Sequence, residues 1–177
     1  MKKIRTVLSF ALPVTFLLSS AAVYAEIPSA TEACADEESE VTPSAAFATL
    51  EEGKVVYHEA TGLEWRRCAE GMSWEDGRCQ GNAQALNWQE ARERAEAAGE
   101  GWRLPTIAEL HSIVERCRIG AAINAQVFPE TPASFFWSAS PYAGSSQSAW
   151  GVYFHTGRDG WNGKNGTHKV RLVRDSE

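Results

Sequence analysis

Gly101-Trp102-Arg103-Leu104-Pro105-Thr106-Ile107-Ala108-Glu109-Leu110 is the stretch on which the fold of this 177-residue chain turns. Pro105 biases the residue before it, Leu104, toward an extended backbone. Thr106 can then cap a helix, and Glu109, three positions on, closes a capping box. The helix is expected from Ile107 to about Cys117, because Leu110, Ile113, Val114 and Cys117 form one apolar stripe. Trp102 is expected to be buried, and Arg103 to pair with an acidic or main-chain partner.

Upstream, Asn87 and Glu90 form a second capping box. Trp88, Ala91, Ala95 and Ala98 then share one helical face, and the helix ends at Gly99. Lys54–His58 is rich in β-formers, Glu59–Gly62 turns the chain, and Leu63–Arg66 returns with period-two alternation that places Trp65 inward. Further strands are expected at Phe135–Ser138, at Ala149–His155 with Trp150, Val152 and Phe154 facing one way, and at Lys169–Arg174 with Val170 and Leu172 inward. Gly157–Gly166, with a glycine every third residue, reads as a loop.

Three blocks in order, Thr61-Gly62-Leu63-Glu64-Trp65, the Trp-Arg-Leu-Pro run and Phe136-Trp137-Ser138-Ala139-Ser140, resemble the Lcl C-terminal domain family. Its members are bacterial extracytoplasmic modules with a C-type-lectin-like fold. The resemblance implies an α+β domain over residues 49–177, with two short helices packed on a twisted, mostly antiparallel sheet. It also implies that Trp65, Trp102, Arg103, Leu104, Pro105 and Trp137 are structural. One family member is an adhesin domain, so the implied activity is adhesion or recognition.

Residues 1–25 have the form of a signal peptide: Lys2, Lys3 and Arg5, an apolar run from Val7 to Leu18, then Val23-Tyr24-Ala25 before the cleavage point. The apolar run is short of the roughly 20 residues a spanning helix needs. No membrane span is expected after cleavage, and the product should be periplasmic or extracellular in a Gram-negative bacterium. Residues 26–48 read as an acidic, disordered linker, with eight acidic and no basic residues between Glu26 and Glu52. The four cysteines then suit two disulfides, which allow three pairings. Cys68 and Cys79 bracket a turn-prone insert, which leaves Cys34 for Cys117. No cysteine or histidine spacing favours zinc, so no metal site is expected.

From Gly53 onward the chain holds 15 acidic and 14 basic residues, and the lack of a basic patch argues against nucleic acid as a partner. His58, His111, His155 and His168 stand in no hydrolase motif, and no Gly-x-Ser-x-Gly elbow occurs, so no enzyme is expected. Asp159, Asn162 and Asn165 are oxygen ligands of a kind calcium accepts. They are equally the residues a glycine-rich loop uses to turn, and no cofactor is expected. Trp161 differs from the other tryptophans in its setting, between Gly160 and Asn162-Gly163. A loop aromatic with adaptable polar neighbours is a binding device, so Trp161, with Arg158, Asn162 and Asn165, forms the candidate ligand site. The leading reading is an exported, non-enzymatic module for a surface glycan or protein. The alternative is a small periplasmic enzyme or enzyme inhibitor.

Overall fold

The computed structural model describes Cys34, residues 40–118 and residues 120–176. The expected signal peptide, and the linker except for Cys34 and residues 40–48, lie outside the described residues. Four strands form the first sheet: β1 (Phe47–Leu50), β2 (Val55–His58), β3 (Leu63–Arg66) and β9 (Val173–Asp175), in the order β1-β2-β3-β9. β2 and β3 are the expected hairpin. The end of the domain returns to its beginning, with Trp65 opposite Val173 and Leu63 opposite Asp175. β4 (Met72–Glu75) and β5 (Arg78–Gly81) form a separate hairpin, and β6 (Phe135–Pro141), β7 (Ser148–Tyr153) and β8 (Arg158–Gly163) form a three-stranded sheet in that order. Every pair of neighbouring strands is antiparallel. With α1 (Trp88–Ala98) and α2 (Ile107–His111), the fold is α+β, as expected. Among the described residues, no helix is long and apolar enough to cross a membrane.

Both helices begin where their caps require. Asn87 accepts from the Glu90 N–H while Glu90 reaches back to Asn87, and Thr106 and Glu109 do the same for α2. α2 is shorter than the apolar stripe suggested. The Ser112 hydroxyl bonds the Glu109 carbonyl at 2.7 Å, and this local bond competes with a further helical turn. Leu110, Ile113 and Val114 are buried all the same, presented by the turns that follow.

The alternation of β6 and β7 divides the core. Phe136, Val152 and Phe154 pack with Leu110, Ile113 and Trp65 on one side. Phe135, Trp137 and Ala149 pack with Ala91, Ala95, Leu104, Val170 and Leu172 on the other. Arg171 crosses the interior between Val170 and Leu172. Its guanidinium donates to the carbonyls of Arg66 and Arg67 and to Thr131 Oγ1, and lies 4.7 Å from the Phe128 ring. Burial pulls its pKa down to about 9.

Three boundaries differ from expectation. The domain starts upstream of residue 49: Thr42 is buried, and its N–H and hydroxyl both donate to the wholly buried Glu115 carboxylate, at 2.6 and 2.9 Å. Glu40 meets Arg118 at 2.6 Å, so residues 40–46 are packed against the domain and are not linker. Secondly, most of Gly157–Gly166 is strand β8, because β7 supplies a partner from Tyr153↔Arg158 to Ser148↔Gly163. Pairing context overrides the low strand preference of glycine and asparagine. Thirdly, the closing strand is confined to Val173–Asp175; Lys169 makes a lone bridge to Phe136, while Val170 and Leu172 are fully buried as the alternation required. The disulfides join Cys68 to Cys79 and Cys34 to Cys117.

Candidate functional site

Six tryptophans are buried or half-buried, whereas Trp161 is 52% exposed. β8 is the outer strand of its sheet, and Trp161 stands opposite Trp150 of β7. Tyr142, just beyond β6, lies flat on Trp161, with ring centroids 4.9 Å apart and planes 9° from parallel. The same Tyr142 ring meets Trp150 edge-on at 5.3 Å. Gly144 is held against Tyr142: a Cβ there would come within 2.6 Å of the ring, so a side chain at this turn would displace Tyr142. The result is an aromatic surface in which one indole face is supported by a phenol ring and half of the residue stays in water.

The four residues expected to form one site do not converge. Successive strand residues point to opposite faces. Trp161 and Asp159 therefore share one face, while Arg158 and Asn162 share the other. The Asn162 amide donates to the Tyr153 hydroxyl at 3.1 Å on that second face. Asn165 lies past the strand, in the following turn. The same alternation separates Asp159 from Asn162, so the Asp159, Asn162 and Asn165 oxygens do not form a common calcium cage. Asp159 instead approaches His111 of α2, at 3.7 Å between Nε2 and Oδ1. Among the described residues, the clustered metal-type ligand atoms are those of Cys34, Glu115 and Cys117, and both cysteines are in the disulfide.

Tyr142 and Trp150 complete the surface and were not among the expected site residues. Period-two reading set Trp150 on one face with Val152 and Phe154. It is half-buried, because the neighbouring strand lies at the sheet margin. A cross-strand register would have been needed to place Trp150 beside Trp161.

The Trp-Arg-Leu-Pro block is a different environment. Trp102 is 7% exposed, and two guanidinium groups cover its rings, Arg174 at 4.4 Å and Arg66 at 5.1 Å. Arg103 grips Glu109 with two bonds of 2.8 Å and reaches Asp175 at 3.1 Å. Its hydrogen bond to Glu109 raises Arg103 above the ordinary guanidinium pKa. Burial works to raise the Glu109 carboxyl, but the bonds from Arg103 and from Thr106 outweigh it and hold the carboxyl below its usual value. The main chain of Arg103 also exchanges bonds of 2.9 and 3.0 Å with Val173. The block thus ties α2 to the last strand. Beside it lies a cleft of about 340 Å³, walled by Trp74, Trp102, Met72 and Val55 and edged by Glu51, Lys54, Arg66 and Glu70.

No curated protein matches the chain significantly. Among solved structures, the crystal structure of EMS16, an antagonist of collagen receptor integrin α2β1, aligns at 14% identity over 60% of this chain and 98% of that one, with a TM-score of 0.37. The family model of the Lcl C-terminal domain matches residues 54–174, a span that takes in the opening hairpin, both helices, the aromatic sheet and the closing strand. The chain belongs to the Lcl C-terminal domain family.

Proposed function

We propose that this protein is an exported, non-enzymatic recognition module that holds a surface glycan or protein against the Tyr142–Trp150–Trp161 face. The observation that carries this reading is the half-exposed Trp161 ring, stacked on Tyr142. An exposed indole normally costs solvation and gains nothing. Fixed by a stacking partner, it offers flat, amphipathic contact area with little ordering entropy left to lose. Two disulfides suit an oxidising compartment outside the cytoplasm. The neutral balance of the domain suits a neutral glycan or a protein surface better than a sulfated polymer, which needs a basic stripe.

The experiment is a glycan and protein array probed with the mature chain, alongside Trp161→Ala and Tyr142→Ala. Binding by the parent and loss in both variants is the expected result. Equal binding by all three places the ligand elsewhere. A ligand that contacts the Trp74–Trp102 cleft would move the site there.

A further inference from the structure

β8 carries a second property that the aromatic surface does not use. Main-chain direction alternates along a strand as side chains do, and the hydrogen bonds of β6 and β7 fix which way each residue points. The Phe154 N–H donates to Ser134, and the Trp150 carbonyl accepts from the Ser138 hydroxyl, so even-numbered residues of β7 turn toward β6. Odd-numbered residues of β7 therefore face β8 and meet Arg158, Gly160 and Asn162 in the register Tyr153↔Arg158, Gly151↔Gly160, Ala149↔Asn162. That leaves the N–H and C=O of Asp159 and of Trp161 directed away from the sheet. Among the described residues, no hydrogen bond engages these four groups. Natural edges are blunted with proline, lysine, bulges or a covering loop, and an unblunted edge is a template for another strand. Asp159 and Trp161 are both exposed.

We propose that this edge pairs with the same edge of a second copy of the chain, antiparallel and centred on Gly160. Charge decides the register. Because only residues of like facing can oppose one another, three registers bring the outward groups together. Centring on Asp159 sets Asp159 against Asp159, and centring on Trp161 sets Arg158 against Lys164; both oppose like charges, which destabilises a strand pair. Centring on Gly160 sets Asp159 against Trp161, Arg158 against Asn162 and Gly160 against itself. No like charges meet, and the closest approach falls where there is no side chain. Asp159 and Trp161 exchange both main-chain bonds in each half, four in all. The twofold axis stands normal to the sheet, so the two three-stranded sheets join into one of six strands. Both Trp161–Tyr142 surfaces then lie on the same face, and the dimer presents two ligand sites side by side. The pairing itself requires no ligand, so its failure leaves the Trp161 recognition site standing.

An interface this small is expected to be weak, so self-association is read by sedimentation velocity on the mature chain from micromolar to near-millimolar concentration. A concentration-dependent monomer–dimer equilibrium is expected. Asp159→Pro deletes an outward N–H that β8 does not use in its own sheet, a position proline tolerates on an edge strand. Two bonds are lost per dimer, and the dissociation constant should rise about 30-fold. Asp159→Ala keeps the N–H and should leave the dimer intact. A second measurement stands even if the proline variant misfolds. Arg158→Cys/Asn162→Cys places a cysteine at each of two opposed positions, and should give a covalent dimer on mild oxidation, whereas each single variant should not. A monomer at every concentration, a dimer indifferent to Asp159→Pro, or cross-linking by the single variants as efficient as by the pair overturns the proposal.

Discussion

Trp102 and Trp161 have the same side chain and opposite situations. Trp102 lies under two guanidinium groups, in a block whose arginine and glutamate are interlocked with the last strand. Trp161 has a single stacked ring beside it and water on much of the rest. The first indole contributes through displaced water and filled volume, so its removal should act on folding. The second displaces water only when a partner arrives. What separates them is the arrangement of neighbours: Trp102 is reached by residues from two strands and the C-cap of α1, Trp161 by a turn and one adjacent strand.

The comparison breaks most simply at Trp102. Trp102→Ala should cost about 3–5 kcal/mol, the usual range for removing a large buried aromatic. It should lower the thermal midpoint while leaving array binding by the still-folded fraction unchanged. Unaltered melting with lost binding would reverse the roles assigned to the two tryptophans. The next largest effect is expected at the β4–β5 hairpin. Cys68→Ser/Cys79→Ser opens a loop with a sequence separation of 11. It should cost about 2–3 kcal/mol through the freedom regained by the unfolded chain. The midpoint in denaturant reads this directly, and no change in the midpoint would mean that β4–β5 is held by packing alone. Because the Trp74–Trp102 cleft borrows a wall from that hairpin, this variant also tests whether any ligand uses the cleft.

The two regions also differ in how far they could be read from sequence. The capping boxes Asn87–Glu90 and Thr106–Glu109 are local, spanning three residues each, and both helices begin where those residues stand. The Leu63–Arg66 return strand follows from alternation within one segment, and the buried Trp65, Trp102 and Trp137 stand in the three sequence blocks shared with the family. The Trp161 surface depends on contacts that no local pattern contains. Tyr142 and Trp161 meet only because β6, β7 and β8 fold into register, and the glycines of β8 hid the strand from a propensity reading. The clamp on residues 40–46 was concealed in the same way, since Thr42 and Glu115 are separated by 73 positions. Acidic composition suggested disorder there, yet one buried carboxylate and its donors hold the segment down. Sequence was informative where structure is local, and it failed where a side chain's role is set by a distant partner.

Acid should destabilise the fold in two stages, through His58 and His168 first and the Arg103–Glu109 clamp second. Burial lowers the pKa of His58 and of His168, so the folded state favours the neutral rings. The unfolded chain then binds more protons once pH falls below about 6.5, and stability declines from there. Glu109 is also held low in the folded state, so it adds a second decline as pH drops below about 4.3 and on through its folded value. Denaturant midpoints measured from neutral pH down to about pH 3 should fall in these two stages. Glu109→Gln preserves a capping side chain while removing the charge, and should erase the lower stage. A midpoint that rises on acidification from neutral pH would contradict the histidine contribution.

The smallest expected change in stability is the one most informative about function. Trp161→Ala removes a half-exposed ring and one stacked contact with Tyr142. An aromatic pair of this kind is worth about 0.5–1.5 kcal/mol beyond area, and an exposed position lies at the low end. Melting should therefore shift by little, whereas binding to whatever the array identifies should be lost, because a central aromatic typically carries much of an interface. Trp161→Phe sharpens the test. It keeps a flat ring on Tyr142 and should recover part of the binding if the ligand packs on the ring face, but none if the ligand needs the indole N–H. A substantial loss of stability in Trp161→Ala would mean that the ring is there to cover the sheet margin. The contrast with Trp102 would then be one of degree, and the recognition site would have to be sought in the Trp74–Trp102 cleft.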